Sequence, residues 1–171
     1  MDTQYSVLLS LYYKEKPGHL RVSLDSIFNQ TLVSDDVVLV EDGSLGDALE
    51  SVVKEYEERY PQLHVVRFEK NRGLGFALND GLTYCKHELV ARMDTDDIAK
   101  PHRMEKQFAF MQAHPEIGMI GSWIDEFITD IYHVESVRKV PEHPKEVMEY
   151  AKKRCPVNHP TVMYRKSEVL K

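Results

Sequence analysis

Long apolar runs are missing from this chain of 171 residues. None approaches the roughly 20 residues needed to span a bilayer. The N-terminus also lacks the basic-then-apolar layout of an export signal, so the expected location is the cytoplasm. Cysteine is scarce: Cys85 and Cys155 lie far apart and form no metal-ligand spacing, which reads as free thiols in a reducing compartment. No block of Lys or Arg stands out, and 28 acidic residues outnumber 22 basic ones for a net charge of −6. A nucleic-acid partner held by phosphate neutralisation is thereby excluded. Acidity does not exclude a phosphorylated small molecule, which helix N-termini, a local arginine or a bridging cation can hold. Repeats, low-complexity stretches and linkers are absent from the first 130 residues.

What is present is alternation, with 42% hydrophobic residues, enough for one α/β domain spanning residues 1–171. Apolar runs at Tyr5 to Leu11, Val37 to Val40, His64 to Phe68, Glu88 to Met93 and Ile117 to Trp123 predict buried strands. Between them, apolar residues recur at three- and four-residue spacing: Leu20, Leu24, Ile27 and Phe28, then Leu49, Val52, Val53 and Tyr56, then Leu74, Ala77 and Leu78, then Met104, Phe108 and Met111. That is helical periodicity. Strand–helix alternation with short loops predicts a mostly parallel central sheet flanked by helices on both faces. Beyond Phe127 the pattern loosens to an edge strand over 132–140, a helix from Pro144 to Lys153, a strand from Thr161 to Tyr164 and a new helix at the chain's end.

Ligands of such sheets sit beyond the carboxyl ends of the strands. The strongest signal there is Asp94-Thr95-Asp96-Asp97. Three acids in four residues repel one another unless something positive is present. Oxygen donors on a short loop suit Mg²⁺ or Mn²⁺, which complete their shell with water and substrate phosphate. The plain alternative is one helix-capping acid with the others solvated. An EF-hand is excluded, because Ala99 stands where that loop requires glycine.

Asp42, before Gly43-Ser44, could accept a ring N–H of uracil or guanine, or cap a turn or the following helix. Tyr12 and Tyr13 offer faces for a base, or are ordinary sheet-edge aromatics. Asn71-Arg72-Gly73 combines a guanidinium with a helix N-terminus, both attractive to phosphate, or places an arginine on a solvated turn. Gly73-Leu74-Gly75 followed by Asp94 imitates a dinucleotide fingerprint, but Leu78 replaces the third small residue and the glycines follow the third strand. Trp123, Asp125 and Glu126 suit a sugar, or are one core aromatic and two surface acids. His159, beside Pro160, is a metal or acceptor contact or a plain loop residue.

The ordered set YSVLLSLYYKEKPGHLRVSLDSIFNQT, VVLVEDGS, EKNRGLGFALNDGL, ELVARMDTDDIAKPHRMEKQ, IGMIGSWIDEF and NHPTVMYRKS resembles the family 2 inverting glycosyltransferases, whose N-terminal half has the GT-A fold. The resemblance covers essentially the whole chain. It implies that Leu11, Tyr12, Tyr13 and Glu15 form the wall around the nucleobase and that Asp42 reads the base. It places Asn71, Arg72, Gly73 and Asn79 on the nucleotide side. Asp94-Thr95-Asp96 matches the DxD motif, with Asp94 and Thr95 on the nucleotide, Asp94 and Asp96 at the cation, Asp96 nearest to it, and Asp97 supporting the loop. Trp123, Asp125, Glu126 and His159 fall on the acceptor side. The implied activity is transfer of a sugar, from a UDP-sugar first of all, to a glycan or lipid-linked acceptor in bacterial surface-polysaccharide synthesis, in the cytoplasm or at the membrane's inner face. The family's catalytic base is expected beyond Lys171, leaving a donor-binding domain with little turnover and an apolar surface that favours a homodimer. The alternatives are a non-catalytic nucleotide-sugar-binding domain, a sugar-phosphate nucleotidyltransferase, which wants a Gly-rich basic loop where YYKEKPG stands, and a phosphatase with Asp94 as nucleophile.

Overall fold

The computed structural model describes residues 5–170; Lys171, beyond which the base is expected, lies outside them. Four strands, β1 (Tyr5–Leu11), β2 (Asp36–Glu41), β3 (Leu63–Arg67) and β4 (Leu89–Arg92), alternate with helices α1 (Pro17–Phe28), α2 (Asp47–Arg59) and α3 (Leu74–Leu82). All neighbouring pairs among these four strands are parallel, in the order β3-β2-β1-β4.

Side chains alternate across the sheet, as the strand period of two requires. Val37 and Leu39 join the core under α1, α2 and α4 (Arg103–Ala113), whereas Val38 and Val40 join the one under α3. Burial on both faces explains why these strands read as unbroken apolar runs. Phe28 of α1 stacks on Tyr60 just past α2, with ring centroids 3.8 Å apart and planes within 3°, which locks the two helices together on one face. On the other face α3 lies unusually close. A Cβ on its Gly81 would come within 2.5 Å of Val40 Cγ2 and 2.9 Å of Leu8 Cδ1, so glycine sets the distance between helix and sheet.

After α4 the course departs from the sequence expectation. Of the strand expected over Ile117 to Trp123 only β5 (Met119–Ile120) forms, in the main sheet, and a separate strand, β6 (Ile124–Glu126), follows outside it. Side chains cause the break by taking the backbone groups a continuing ladder would need. The Ser122 N–H donates to Thr161 Oγ1 at 2.9 Å, and Asn158 Nδ2 donates to the Ser122 carbonyl at 2.9 Å. The edge strand expected over 132–140 is only β7 (Ser136–Arg138), paired antiparallel with β6 in a separate two-stranded sheet. The helix expected from Pro144 is α5 (Pro144–Ala151).

The last strand also differs. Thr161 ends a single 3-10 turn (His159–Thr161), and β8 (Met163–Arg165) runs antiparallel between β4 and β5. The completed order is β3-β2-β1-β4-β8-β5. A short helix, α6 (Lys166–Val169), follows directly. Among the described residues no helix is long and apolar enough to cross a membrane.

Candidate functional site at the carboxyl rim

The loops after β1, β2, β3 and β4 meet at one rim. After β1, Leu11 is buried and its carbonyl accepts the Asp42 N–H at 2.8 Å, tying the first two loops. Tyr12 and Tyr13 are exposed and meet edge to face at 5.9 Å. The chain then turns back, with the Glu15 N–H donating to the Tyr12 carbonyl at 3.1 Å. That turn brings Glu15 to the acidic loop, its Oε2 lying 3.4 Å from Thr95 Oγ1.

After β2, Asp42 is buried and does not cap α2, whose N-cap is Gly46. Its carboxylate holds the loop after β3 instead: Oδ1 accepts the Arg72 N–H and Oδ2 the Gly73 N–H, each at 2.8 Å. Asn71 Nδ2 returns a bond to the Asp42 carbonyl at 3.0 Å. Gly43 makes this proximity possible, because at its φ of +89° a Cβ would lie 2.5 Å from the Asn71 nitrogen. The Arg72 guanidinium pairs with Asp80 at 2.7 Å and lies 4.9 Å over the Phe76 ring. Asn79, exposed on α3, donates to the other Asp80 oxygen at 3.3 Å. Asp80 is thus the meeting point of two residues singled out in the sequence, although nothing in the sequence marks it.

After β4, Asp94, Asp96 and Asp97 each place a carboxylate oxygen within 4.8 Å of the others. Thr95 between them is buried and turns its hydroxyl inward, toward the Ser10 carbonyl at 3.4 Å. The acids cap no helix, since α4 begins only at Arg103. Polar residues of α1 and of the turn just past it anchor the loop from below. Ser23 Oγ donates to the Asp94 carbonyl at 2.9 Å, Ser26 Oγ accepts the Ala99 N–H at 3.0 Å, and Gln30 Nε2 donates to the Lys100 carbonyl at 3.0 Å. Burial, reinforced by Asp94 and Asp96 and opposed by Arg92 and Arg103, pushes the Asp97 carboxyl up to about 6. A set of hard oxygen donors at such spacing fits a small divalent cation.

Two arginines back this cluster. Arg92 is fully buried at the end of β4, and one of its nitrogens, Nη2, pairs with Asp94 Oδ1. Arg103 Nη2 donates to the Arg92 carbonyl at 2.8 Å and its Nε to Gln107 at 3.0 Å; burial lowers the Arg103 guanidinium to about 10. Neither arginine stands out in the sequence. The only signal was a basic residue ending an apolar strand.

The remaining candidates occupy the side of the rim beyond β4. His159 is near enough to sense the cluster: surrounding protein and then Arg92 lower its pKa, with Asp94 opposing. Asp125 pairs with Lys100 on the acidic loop. Trp123 donates from Nε1 to the Val140 carbonyl at 3.0 Å and carries the Lys139 ammonium 4.5 Å over its ring. Glu126 pairs with Ser136 and Arg138 across the β6–β7 hairpin, the Ser136 bond leading in holding its carboxyl below the usual range. The structure therefore brings Glu15, Asp42, Asn71 to Gly73 and Asp94 to Asp97 to one rim, links Asp125 and His159 to it, and keeps Trp123 and Glu126 engaged within or beside the hairpin.

Comparison with known proteins identifies the family and the fold. The family model described as Glycosyl transferase family 2 matches residues 6–169. The amylovoran biosynthesis glycosyltransferase AmsE of Erwinia amylovora is 43% identical over 97% of this chain and 61% of its own length. The UDP-Gal:alpha-D-GlcNAc-diphosphoundecaprenol beta-1,3-galactosyltransferase of Escherichia coli is 36% identical over 98% of this chain and 60% of its own length. The chain thus spans about three fifths of the length of these curated relatives. In fold it resembles the mannosyltransferase PcManGT from Pyrobaculum calidifontis, solved with GDP-Man and Mn2+, at a TM-score of 0.69 and 20% identity over 98% of this chain and 46% of that one. On the family match and these identities, the chain belongs to glycosyl transferase family 2.

Proposed function

We propose that this chain binds a nucleoside-diphosphate sugar, a UDP-sugar in the first place, for transfer with inversion to a hydroxyl of a glycan or lipid-linked acceptor in surface-polysaccharide synthesis. The observation that carries the reading is the meeting of three carboxylate oxygens within 4.8 Å of one another at the carboxyl rim. The loop clamped by Asp42 stands beside them.

The roles follow from chemistry. Each Asp42 oxygen keeps a second lone pair beyond its bond to the Arg72 or Gly73 N–H, free to accept a ring N–H of a base. Tyr12 and Tyr13 supply exposed aromatic faces for that base. The Arg72 guanidinium and the N-terminus of α3 attract phosphate oxygens. Asp96, exposed at the tip of the acidic loop, is the cation's first contact, with Asp94 and Asp97 behind it. A bound Mg²⁺ or Mn²⁺ supplies Lewis-acid stabilisation of the charge on a departing diphosphate. Thr95 contributes through its backbone, since its hydroxyl is turned inward.

Asp125 and His159, on the side beyond β4, face the acceptor in this reading, and Trp123 and Glu126 shape the hairpin that borders it. The relative named for UDP-Gal and a diphosphoundecaprenol-linked acceptor supports both the uridine donor and a lipid-linked acceptor, which this reading places at the inner face of the membrane. The neighbour solved with Mn2+ supports the cation. Titration of UDP and GDP with and without Mn²⁺, in the native chain and Asp96→Ala, tests the reading. UDP binding that needs the cation and is lost in the variant is expected; binding indifferent to both would overturn it.

A further inference from the structure

The acidic loop already contains a cation of its own. Arg92 is 2% exposed, and its Nη2 pairs with Asp94 Oδ1. Its Nε and Nη1 are buried without a hydrogen-bond partner among the described residues. Leaving guanidinium donors unpaired in the interior is costly, and an apolar side chain of similar volume would avoid that cost. Packing alone therefore does not account for arginine at this position. Its position does: its charge stands behind carboxylates whose mutual repulsion it offsets. Arg103 fixes the Arg92 backbone by donating to its carbonyl at 2.8 Å, and burial confines the side chain.

We propose that Arg92 is a positioning residue that competes with the divalent cation for Asp94, making cation binding conditional on the nucleotide's diphosphate. This inference rests on the reading of Asp94, Asp96 and Asp97 as a cation site. With Asp94 paired to Arg92, the cation meets the exposed Asp96 freely but Asp94 only weakly. A diphosphate supplies the missing negative oxygens, as is usual for Mg²⁺ sites. Charge, rather than shape, is the property of Arg92 that matters.

The experiment measures Mn²⁺ affinity of the whole chain by electron paramagnetic resonance, without nucleotide and with UDP. It compares the native chain with Arg92→Met, Arg92→Gln and Arg92→Lys, with a thermal melt of each. Arg92→Met and Arg92→Gln should bind Mn²⁺ alone about ten-fold tighter or more, because a repelling charge a few ångströms away is gone. Arg92→Lys should stay within about three-fold of the native chain, because the charge remains. No tightening in the uncharged variants, or equal tightening in Arg92→Lys, overturns the inference. Failure of both uncharged variants to fold overturns it too, since Arg92 would then serve the fold. Should the native chain ignore Mn²⁺ even with UDP while Arg92→Met binds it tighter, the donor reading and the dependence on diphosphate both fall, and only the competition for Asp94 stands.

Discussion

Asp42 grips Gly73: its Oδ2 accepts the Gly73 N–H at 2.8 Å while Oδ1 accepts that of Arg72 at the same distance. Removing the carboxylate leaves both donors without their partner, at a cost of about 1–3 kcal/mol each if water does not replace it. Asp42→Ala should therefore lower the melting temperature as well as abolish UDP binding. Asp42→Asn, which keeps one acceptor oxygen, should recover part of the stability. A melting temperature unmoved in Asp42→Ala would show that the clamp carries no structural weight.

The two glycines flanking this clamp separate strain from collision. Gly43 and Gly73 have φ of +89° and +90°, but only at Gly43 would a Cβ strike backbone, at 2.5 Å from the Asn71 nitrogen. Gly73→Ala should cost about 1–3 kcal/mol, the conformational penalty alone, because φ of +90° with ψ of 158° is a combination that essentially only glycine adopts. Gly43→Ala should cost clearly more and weaken UDP binding, because the loop carrying Asn71 must move. Denaturant melts of the two variants, read side by side, check the order.

These positions also mark how far the sequence could be read. The central parallel strands were legible because burial on both faces leaves mostly apolar residues, as in Val37 to Val40, whereas β3, at the edge of the sheet, is only partly buried. The DTDD loop was legible because crowded like charges have few structural uses. The break after Ile120 was not. It depends on Asn158 and Thr161, more than thirty residues away, capturing the backbone of Ser122. Ser23, Ser26 and Gln30 were missed for a similar reason. Ser23 and Ser26 interrupt the apolar face of α1 and Gln30 follows its end, and only the fold shows that the acidic loop lies over them.

Stability should fall as pH rises from 5 to 8. Glu41 is buried at the end of β2 with Arg67 Nε 3.3 Å from one oxygen and no hydrogen-bond partner for the other among the described residues. Burial pushes its carboxyl up to about 7; Arg67 opposes the shift, and Glu50 and Glu57 add to it. Because the folded value exceeds the ordinary one of roughly 4.3, the unfolded chain releases its proton first. The stabilising contribution is complete below that ordinary value and is lost as pH climbs through about 7. Asp97, raised to about 6, acts in the same sense. Thermal melts without added metal at pH 5, 6.5 and 8 should show the decline, and Glu41→Gln should flatten part of it. A curve rising with pH would contradict the assignment.

Asn158 should govern the hairpin without governing the sheet. Its Nδ2 reaches the Ser122 carbonyl at 2.9 Å and the Arg138 carbonyl at 3.3 Å, joining the chain before β6 to the end of β7. Asn158→Ala should cost about 1–3 kcal/mol, because the Arg138 carbonyl loses this donor and the Ser122 carbonyl keeps only the longer bond from Thr161 Oγ1 at 3.3 Å. Hydrogen exchange should show lost protection at β6 and β7 with β1, β2 and β4 unchanged. Uniform loss would mean that the hairpin and the sheet open together.

The antiparallel entry of β8 between β4 and β5 has an architectural consequence. The chain leaves the main sheet from one strand and re-enters it on the immediate neighbour, so everything between is a closed excursion whose two feet stand side by side. Such an excursion can lengthen, shorten or change its chemistry while the loops carrying Asp42 and the three acids keep their places. Relatives can therefore diversify the side of the crevice bordered by Trp123 and Asp125 independently of the side that Asp42 holds.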